Sequence, residues 1–380
     1  MKIVMDIRDA QLERVGVAVY CQNIIREFVA ARDEKFEFVF LASNEMPKLS
    51  LELNKHSIVY IAPSSSSSLV RKVKWYWCLP RLLKEINADL YFGPFLRLPL
   101  SPYPCKTIFT LHDAASITEG QLVGNLLQKL KNKFFTSNWI HNVDGIICIS
   151  KYCQDEFSDI FGKSIQERST VIYHGLPYEL NEPYSVAIED EIKVIGKYTQ
   201  KKHYLINIGT VYPKKNIERL IEAFSQIKTL DVDLLICGSA GVNSQSIYTA
   251  PERYGIEGSV HFLGRVDTEE LKVLLKNATA FVFPSLYEGF GIPILEAFAM
   301  EVPVISSNAT CLPEIAGDSA LFFNPDSSEE ISRAIDLILS DAQLAEELIL
   351  KGKKRVSGFS WSKSAELHKK FFIEVHNRPS

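Results

Sequence analysis

The chain has 380 residues, 46% of them hydrophobic, with 23% charged residues and a formal net charge of −4. That length exceeds what one hydrophobic core usually organises, so two domains are expected, and the near-neutral balance carries no global electrostatic footprint for nucleic acid. The start, MKIVMDIRDA, places Asp6, Arg8 and Asp9 where a secretory leader needs its apolar run, and no stretch approaches the roughly 18 apolar residues of a spanning helix, so a cytoplasmic protein is expected. Cys21, Cys78, Cys105, Cys148, Cys153, Cys237 and Cys311 form no C-x-x-C pair and have no histidine at metal spacing, which predicts reduced, mostly buried thiols.

In chain order, short β-branched or aromatic runs predict strands at Lys2–Ile7, Glu37–Ala42, Ser57–Ile61, Asp89–Phe92, Lys106–Thr110, Asp144–Ile149 and Ser169–Tyr173. Helical spacing falls between them at Val17–Ala31, Leu69–Glu85, Gln121–Ile140 and Lys151–Phe161. The serine tract Ser64–Ser68 reads as a loop. The stretch Gly175–Lys201 is polar, contains Pro177 and Pro183 and has no strong apolar period, so a domain boundary is placed near it. The same grammar then resumes with strands at Tyr204–Ile208, Asp233–Cys237, Ser259–Leu263, Ala280–Phe283, Pro303–Ser306 and Ala320–Phe323. Alternation of strand and helix predicts an α/β protein with parallel sheets covered on both faces. The expected division is a first Rossmann-like doubly wound domain at 1–178, a second at 179–359, and a final helix within 360–380 that can pack on either domain, packing back on the first being favoured.

Several sites carry chemistry. After the first strand, Glu13-Arg-Val-Gly-Val-Ala-Val-Tyr20 offers Gly16 as a place where a phosphate can approach backbone, although a single glycine is a weak signal. Thr110-Leu-His-Asp-Ala114 puts His112 and Asp113 directly after a buried strand; Asp113 either caps the next segment or orients the imidazole. Thr210, Lys214 and Lys215 follow the strand Tyr204–Ile208, with Asn216 read as the N-cap of the next helix; that is where phosphates bind in an open α/β sheet, and equally where two solvated lysines sit in a turn. Asp231-Val-Asp233 has the spacing of a divalent-cation pair, but ordinary turn chemistry before a strand is the favoured explanation.

The sharpest pattern is Pro284-Ser-Leu-Tyr-Glu-Gly-Phe-Gly-Ile-Pro-Ile-Leu-Glu296. Gly289, Gly291 and Pro293 exclude one continuous helix and predict strand, glycine loop, then a helix with Pro293 in its first turn. Glu288 then lies on the loop and Glu296 near the helix start, where a carboxylate can accept hydrogen bonds from a ribose diol or simply complement the helix dipole. H-E-x-x-H, G-x-S-x-G and Walker A sequences do not occur.

These residues resemble the retaining glycosyltransferases of GT-B architecture, family 4 type, which include bacterial mannosyltransferases and sucrose-phosphate-synthase-like enzymes. Glu288 and Glu296 match the E-x7-E motif of that family, and Val260-His-Phe-Leu-Gly-Arg-Val-Asp267 and Leu312-Pro-Glu-Ile-Ala-Gly-Asp-Ser-Ala320 also look like family sequence. The resemblance covers nearly the whole chain and implies two Rossmann-like domains facing across a cleft. It implies Glu296 on the nucleotide ribose, the amides of Phe290, Gly291 and Ile292 on the sugar and diphosphate, and Glu288 at the transferred sugar. It further implies Lys215 on the pyrophosphate, the backbone around Val266 beside the base, His112 facing the donor sugar, and Gly16 touching the diphosphate.

The implied reaction is metal-independent transfer, with retention, of a hexose, mannose favoured, from a nucleotide-sugar donor to a glycan or lipid-linked glycan acceptor in surface polysaccharide biosynthesis. GDP-mannose is favoured over a UDP-hexose, and no cofactor or metal is expected. This sequence departs from the family at Gly16-Val-Ala-Val-Tyr20, which lacks an arginine, at Gly209-Thr210 where Gly-Arg is usual, and at Glu301 where glycine is usual. An epimerase or phosphorylase on the same fold, or a non-catalytic nucleotide-sugar sensor, remains as an alternative. The basic aromatic segment Leu69–Lys84, with Lys129, Lys131 and Lys133 nearby, reads either as a packing helix or as a peripheral contact with an anionic membrane.

Overall fold

The computed structural model describes residues 1–8, 16–30, 33–42, 59–61, 69–95, 103–114, 140, 142–180, 184–228 and 231–379. The serine tract, the predicted helix Gln121–Ile140 apart from Ile140, and with it Lys129, Lys131 and Lys133, lie outside these residues. The chain divides into two compact units, Met1–Gly175 with Ser360–Ser380, and Leu176–Phe359.

In the first unit, β1 (Lys2–Asp6), β2 (Glu37–Ala42), β3 (Val59–Ile61), β4 (Leu90–Gly93), β5 (Lys106–Leu111), β6 (Gly145–Cys148) and β7 (Ser169–Val171) form one parallel sheet in the order β3-β2-β1-β4-β5-β6-β7. Helices α1 (Gly16–Ala30), α2 (Leu69–Glu85), α3 (Lys151–Phe161) and α4 (Ser164–Arg168) connect them, so the strands read as unbroken apolar runs because both faces are covered. Ser150 caps α3, its hydroxyl accepting from the Cys153 N–H at 3.1 Å.

The last helix, Trp361–His376, belongs to this unit and buries one stripe formed by Trp361, Ala365, His368, Phe371, Phe372 and Val375. A directed chain of hydrogen bonds ties it to α1 and β5. The Ser364 carbonyl can only accept, so His368 donates to it from Nδ1 at 2.7 Å; burial holds the imidazole near pKa 4 and therefore neutral, so Nε2 accepts from the Tyr20 hydroxyl at 2.7 Å. Tyr20 in turn accepts from Thr110 at 2.9 Å. Gly175 permits the close passage of the chain here, since a β-carbon on it would lie 2.3 Å from the Trp361 nitrogen.

The second unit repeats the winding with β8 (His203–Ile208), β9 (Val232–Cys237), β10 (Val260–Gly264), β11 (Ala280–Phe283), β12 (Val304–Ser307) and β13 (Ala320–Phe323), parallel in the order β10-β9-β8-β11-β12-β13. Its helices are α5 (Ile188–Ile195), α6 (Ile217–Phe224), α7 (Gln245–Tyr248), α8 (Ala250–Arg253), α9 (Thr268–Lys276), α10 (Ile292–Ala299), α11 (Leu312–Ala316), α12 (Ser328–Ser340) and α13 (Ala342–Val356). Leu205, Leu234, Val282 and Ile305 from the sheet pack with Leu220 and Phe224 of α6 and Ile331 and Ile335 of α12.

Each predicted strand forms among the described residues, with ends moved by at most two residues. The boundary stretch is less featureless than its composition implies, because α5 lies inside it. Ile188 and Ile192 share one face of α5 but are 73% and 66% exposed, and its inward positions, Glu191, Val194 and Ile195, are only partly buried, so its apolar residues do not mark a core-facing stripe. Glu301 has φ 59°, the left-handed backbone expected where glycine is usual, and its carboxylate bridges Lys353 at 2.5 Å and Lys276 at 3.3 Å.

Phe372 is fully buried against Phe28 and Phe92. Phe372→Ala is expected to destabilise the first unit by about 3–5 kcal/mol. Denaturant unfolding followed by a probe in that unit checks this, and an unchanged midpoint would show that the last helix does not contribute to its core.

Candidate functional site

In each sheet the winding reverses once, between β1 and β4 and between β8 and β11. Loops leaving the carboxyl ends of strands on either side of such a reversal diverge and open a crevice where ligands bind in folds of this type. In the second unit the two loops are Gly209–Asn216 after β8 and Pro284–Gly291 after β11. They are bonded together: the Leu286 N–H donates to the Lys214 carbonyl at 3.0 Å, and the Asn216 side chain donates to the carbonyls of Pro284 at 3.1 Å and Pro325 at 2.7 Å.

Asn216 therefore does something other than the predicted capping. Its backbone is left-handed at φ 56° and its amide is turned into the protein as a staple, leaving α6 without a side-chain N-cap.

The staple brings Lys215 and Glu288 into contact. Lys215 Nζ lies 2.5 Å from Glu288 Oε1, with the two side chains only 15% and 12% exposed, and Nζ also sits 5.1 Å from the centre of the Phe283 ring. Lys214 is buried over the ring of Tyr287 at 5.3 Å. Burial works to raise the Glu288 carboxyl, but the charges of Lys215 and Lys214 outweigh it and hold the group below the ordinary carboxylate range.

The other predicted residues of this unit lie along the same carboxyl-terminal edge. Thr210 is exposed just after β8, and Val266 is buried between β10 and α9, next to Asp267, which caps α9 through the Glu269 and Glu270 N–H groups. Phe290 is buried against Phe359. Gly291 has φ 101° at the N-cap of α10, and a β-carbon there would meet Leu312 Cδ2 at 2.9 Å, so both conformation and space demand glycine. Ile292 begins α10, Pro293 stands second, and Glu296 opens the second turn, half-buried. The loop's backbone is held from a neighbouring turn: Thr310 Oγ1 accepts from the Glu288 N–H at 3.1 Å, and the Cys311 thiol donates to the carbonyls of Glu288 at 3.2 Å and Phe290 at 3.3 Å.

His112 and Gly16 belong to the first unit, at the carboxyl ends of β5 and β1. Gly16 begins α1, with open space where a β-carbon would point. His112 donates from Nε2 to the Pro94 carbonyl at 2.7 Å, because that carbonyl can only accept. Burial lowers its pKa, so the ring is neutral and Nδ1 is an acceptor; the bond that orients the imidazole thus runs to Pro94, with the Tyr20 ring edge-on at 5.1 Å.

Sequence reasoning missed Thr310, Cys311 and the stapling role of Asn216. It also missed the buried pair Arg8–Asp6 at the end of β1, with Nε to Oδ1 at 2.9 Å and Nη2 to Oδ2 at 2.6 Å. In the acid pair Asp231-Val-Asp233, Asp233 lies against Lys201 at 2.9 Å and His261 at 3.1 Å and accepts from the Thr199 hydroxyl at 2.5 Å. Among the described residues, no group of three or more His, Cys, Asp or Glu side chains is placed to hold a metal.

The family model described as Glycosyltransferase Family 4 matches residues 15–180, and the one described as Glycosyl transferases group 1 matches residues 188–355. An O-antigen chain mannosyltransferase B of Escherichia coli is 38% identical over 378 residues, 95% of this chain and 96% of that protein. The chain belongs to the GT-B glycosyltransferases of the family 4 type. Solved structures agree on the fold of this glycosyltransferase: sucrose-phosphate synthase of Thermosynechococcus elongatus matches with a TM-score of 0.78 at 19% identity over 99% of both chains. Anabaena HepE in complex with UDP-glucose matches with a TM-score of 0.76 at 17% identity, over 98% of this chain and 100% of that one.

The glycosyltransferase's Glu288 is ionised below the ordinary carboxyl value of 4.5 in the folded state, so the stability it contributes is fully present above that value and is lost as pH falls through the folded pKa. Glu288→Gln is expected to flatten the acid limb of the thermal midpoint against pH below 4.5. An acid limb of unchanged slope contradicts the assigned shift.

Proposed function

We propose that this glycosyltransferase transfers mannose, with retention and without a metal, from GDP-mannose to a glycan or lipid-linked glycan acceptor in surface polysaccharide biosynthesis. The observation that carries the reading is the part-buried Lys215–Glu288 pair at the β8/β11 reversal, where a cation for the diphosphate and a sugar-facing carboxylate are required side by side. The name of the Escherichia coli relative, similar along nearly its whole length, supports mannose and O-antigen as the sugar and product class. The HepE complex supports a nucleotide sugar as the donor class for this fold.

In this reading Lys215 turns from Glu288 to the diphosphate when the donor arrives, and Glu288 turns to a hydroxyl of the sugar. The backbone amides of Gly291 and Ile292 add to the anion's binding, while Pro293 has no N–H to offer. Glu296 accepts from the ribose hydroxyls, and Val266 borders the base. In the first unit, Gly16 offers backbone that a phosphate can approach, and His112 offers Nδ1 as an acceptor for a hydroxyl. As the bond from the anomeric carbon to the diphosphate oxygen breaks, the acceptor hydroxyl oxygen bonds to that carbon from the same face, and its proton passes to the departing phosphate oxygen. Lys215 stabilises the charge that gathers on the leaving group.

Calorimetry with GDP, UDP and ADP, then their hexose conjugates, with and without EDTA, tests the donor. EDTA-insensitive binding of GDP-mannose is expected, weakened about tenfold to a hundredfold in Glu296→Ala by the loss of charge-assisted hydrogen bonds. Binding of none of them overturns the function. Lys215→Ala is expected to lower turnover by about a hundredfold or more with the fold intact, and near-normal turnover sinks its role.

We further propose that α2 contacts an anionic membrane. Trp77 is 67% exposed on it, Lys84 is exposed nearby, and Arg81 is paired with Glu85 at 2.9 Å. Among the described residues no helix is long and apolar enough to cross a membrane. Sedimentation with anionic but not neutral liposomes is expected, reduced in the Trp77→Ala, Lys84→Glu double variant; failure to pellet on anionic lipid tells against the contact.

A further inference from the structure

The loop that carries Glu288 has little stiffness of its own, because Gly289 and Gly291 bracket Phe290 within it. Yet both backbone hydrogen-bonding groups of Glu288 are taken, and both by the turn between β12 and α11. Thr310 Oγ1 accepts from the Glu288 N–H at 3.1 Å, and the Cys311 thiol donates to the Glu288 carbonyl at 3.2 Å and to the Phe290 carbonyl at 3.3 Å. Leu312, the next residue, closes the space beside Gly291. Three consecutive residues thus grip the loop at its two ends.

Two features mark this grip as more than incidental packing. Thr310 has φ 55°, a left-handed conformation that β-branched residues rarely adopt, and a strained residue persists where its surroundings over-determine it. Its hydroxyl is the group that glycine, the residue suited to that backbone, would lack. Cys311 is fully buried, and burial, with the carboxylates of Glu288 and Glu314 adding to it, raises its pKa far above the ordinary thiol range. The sulfur therefore keeps its proton and remains a donor to the two carbonyls. It is not poised as a nucleophile or for oxidation.

We propose that Thr310 and Cys311 are positioning residues for sugar transfer: they fix the backbone of Glu288 so that its carboxylate is presented at one place beside Lys215. The proposal rests on the donor-site reading above and deepens it. A loop released from this turn would still bind nucleotide through Lys215 and Glu296, but would present the carboxylate in several orientations, and the loss would fall on turnover.

Thr310→Gly separates the two roles, since it removes the hydroxyl and relieves the left-handed backbone together. Its thermal midpoint is expected to equal or exceed that of the parent and its affinity for GDP to be unchanged, while kcat falls about tenfold or more, the loss expected for one positioning hydrogen bond. Thr310→Ser, which keeps the hydroxyl, is expected to retain kcat within about threefold, and Cys311→Ala to lose kcat more than Cys311→Ser. Hydrogen exchange in the peptide spanning Glu288–Gly291, measured on the unliganded protein, is expected to rise about tenfold in Thr310→Gly and not in Thr310→Ser. Unchanged exchange overturns the grip whether or not the protein turns over a nucleotide sugar. Faster exchange with unchanged kcat overturns the positioning role, as does a fall in kcat that only tracks a fall in thermal stability.

Discussion

Two opposite charges largely out of water, Lys215 and Glu288, meet where the loops after β8 and β11 are bonded together. Removing either charge from solvent alone would be costly, so each needs the other until a ligand replaces it. Such a pair is weak evidence for stability, and it holds a cation and an ionised carboxylate close together at the strand ends. Phe283 lies beneath the lysine, the buried Lys214 adds a second positive charge, and Asn216 staples the two loops that deliver the pair.

The fold was legible because strands covered on both faces must be nearly continuous apolar runs, and runs such as Ala280–Phe283 and Val232–Cys237 stand out against polar loops. The helix α5 was not legible, because Ile188 and Ile192 face solvent while its inward positions include Glu191. The site was half legible. Glu288, Glu296, Lys214 and Lys215 are bracketed by glycine, proline and strand ends, which fix their place in a parallel sheet. Their partners are read only in three dimensions. Thr310 lies 22 residues from the amide it receives, and Asn216 looks like an ordinary N-cap until its left-handed backbone turns the side chain inward.

In the first unit a segment distant in sequence is packed up to the surroundings of His112. The helix Trp361–His376 passes its hydrogen-bond chain through His368 to Tyr20, and the Tyr20 ring lies edge-on to His112. The neutral state of His368 and of His112 follows from burial, and each ring's tautomer follows from a carbonyl that can only accept, at Ser364 and Pro94.

The most direct test of the account is a double-mutant cycle of Lys215→Met and Glu288→Gln, read as kcat/KM for GDP-mannose. If the pair acts as one unit, the double variant loses little more than the worse single variant, leaving a coupling well above the roughly 0.5 kcal/mol seen between independent sites. Losses that simply add would contradict the claim that the buried pair is the centre of the donor site.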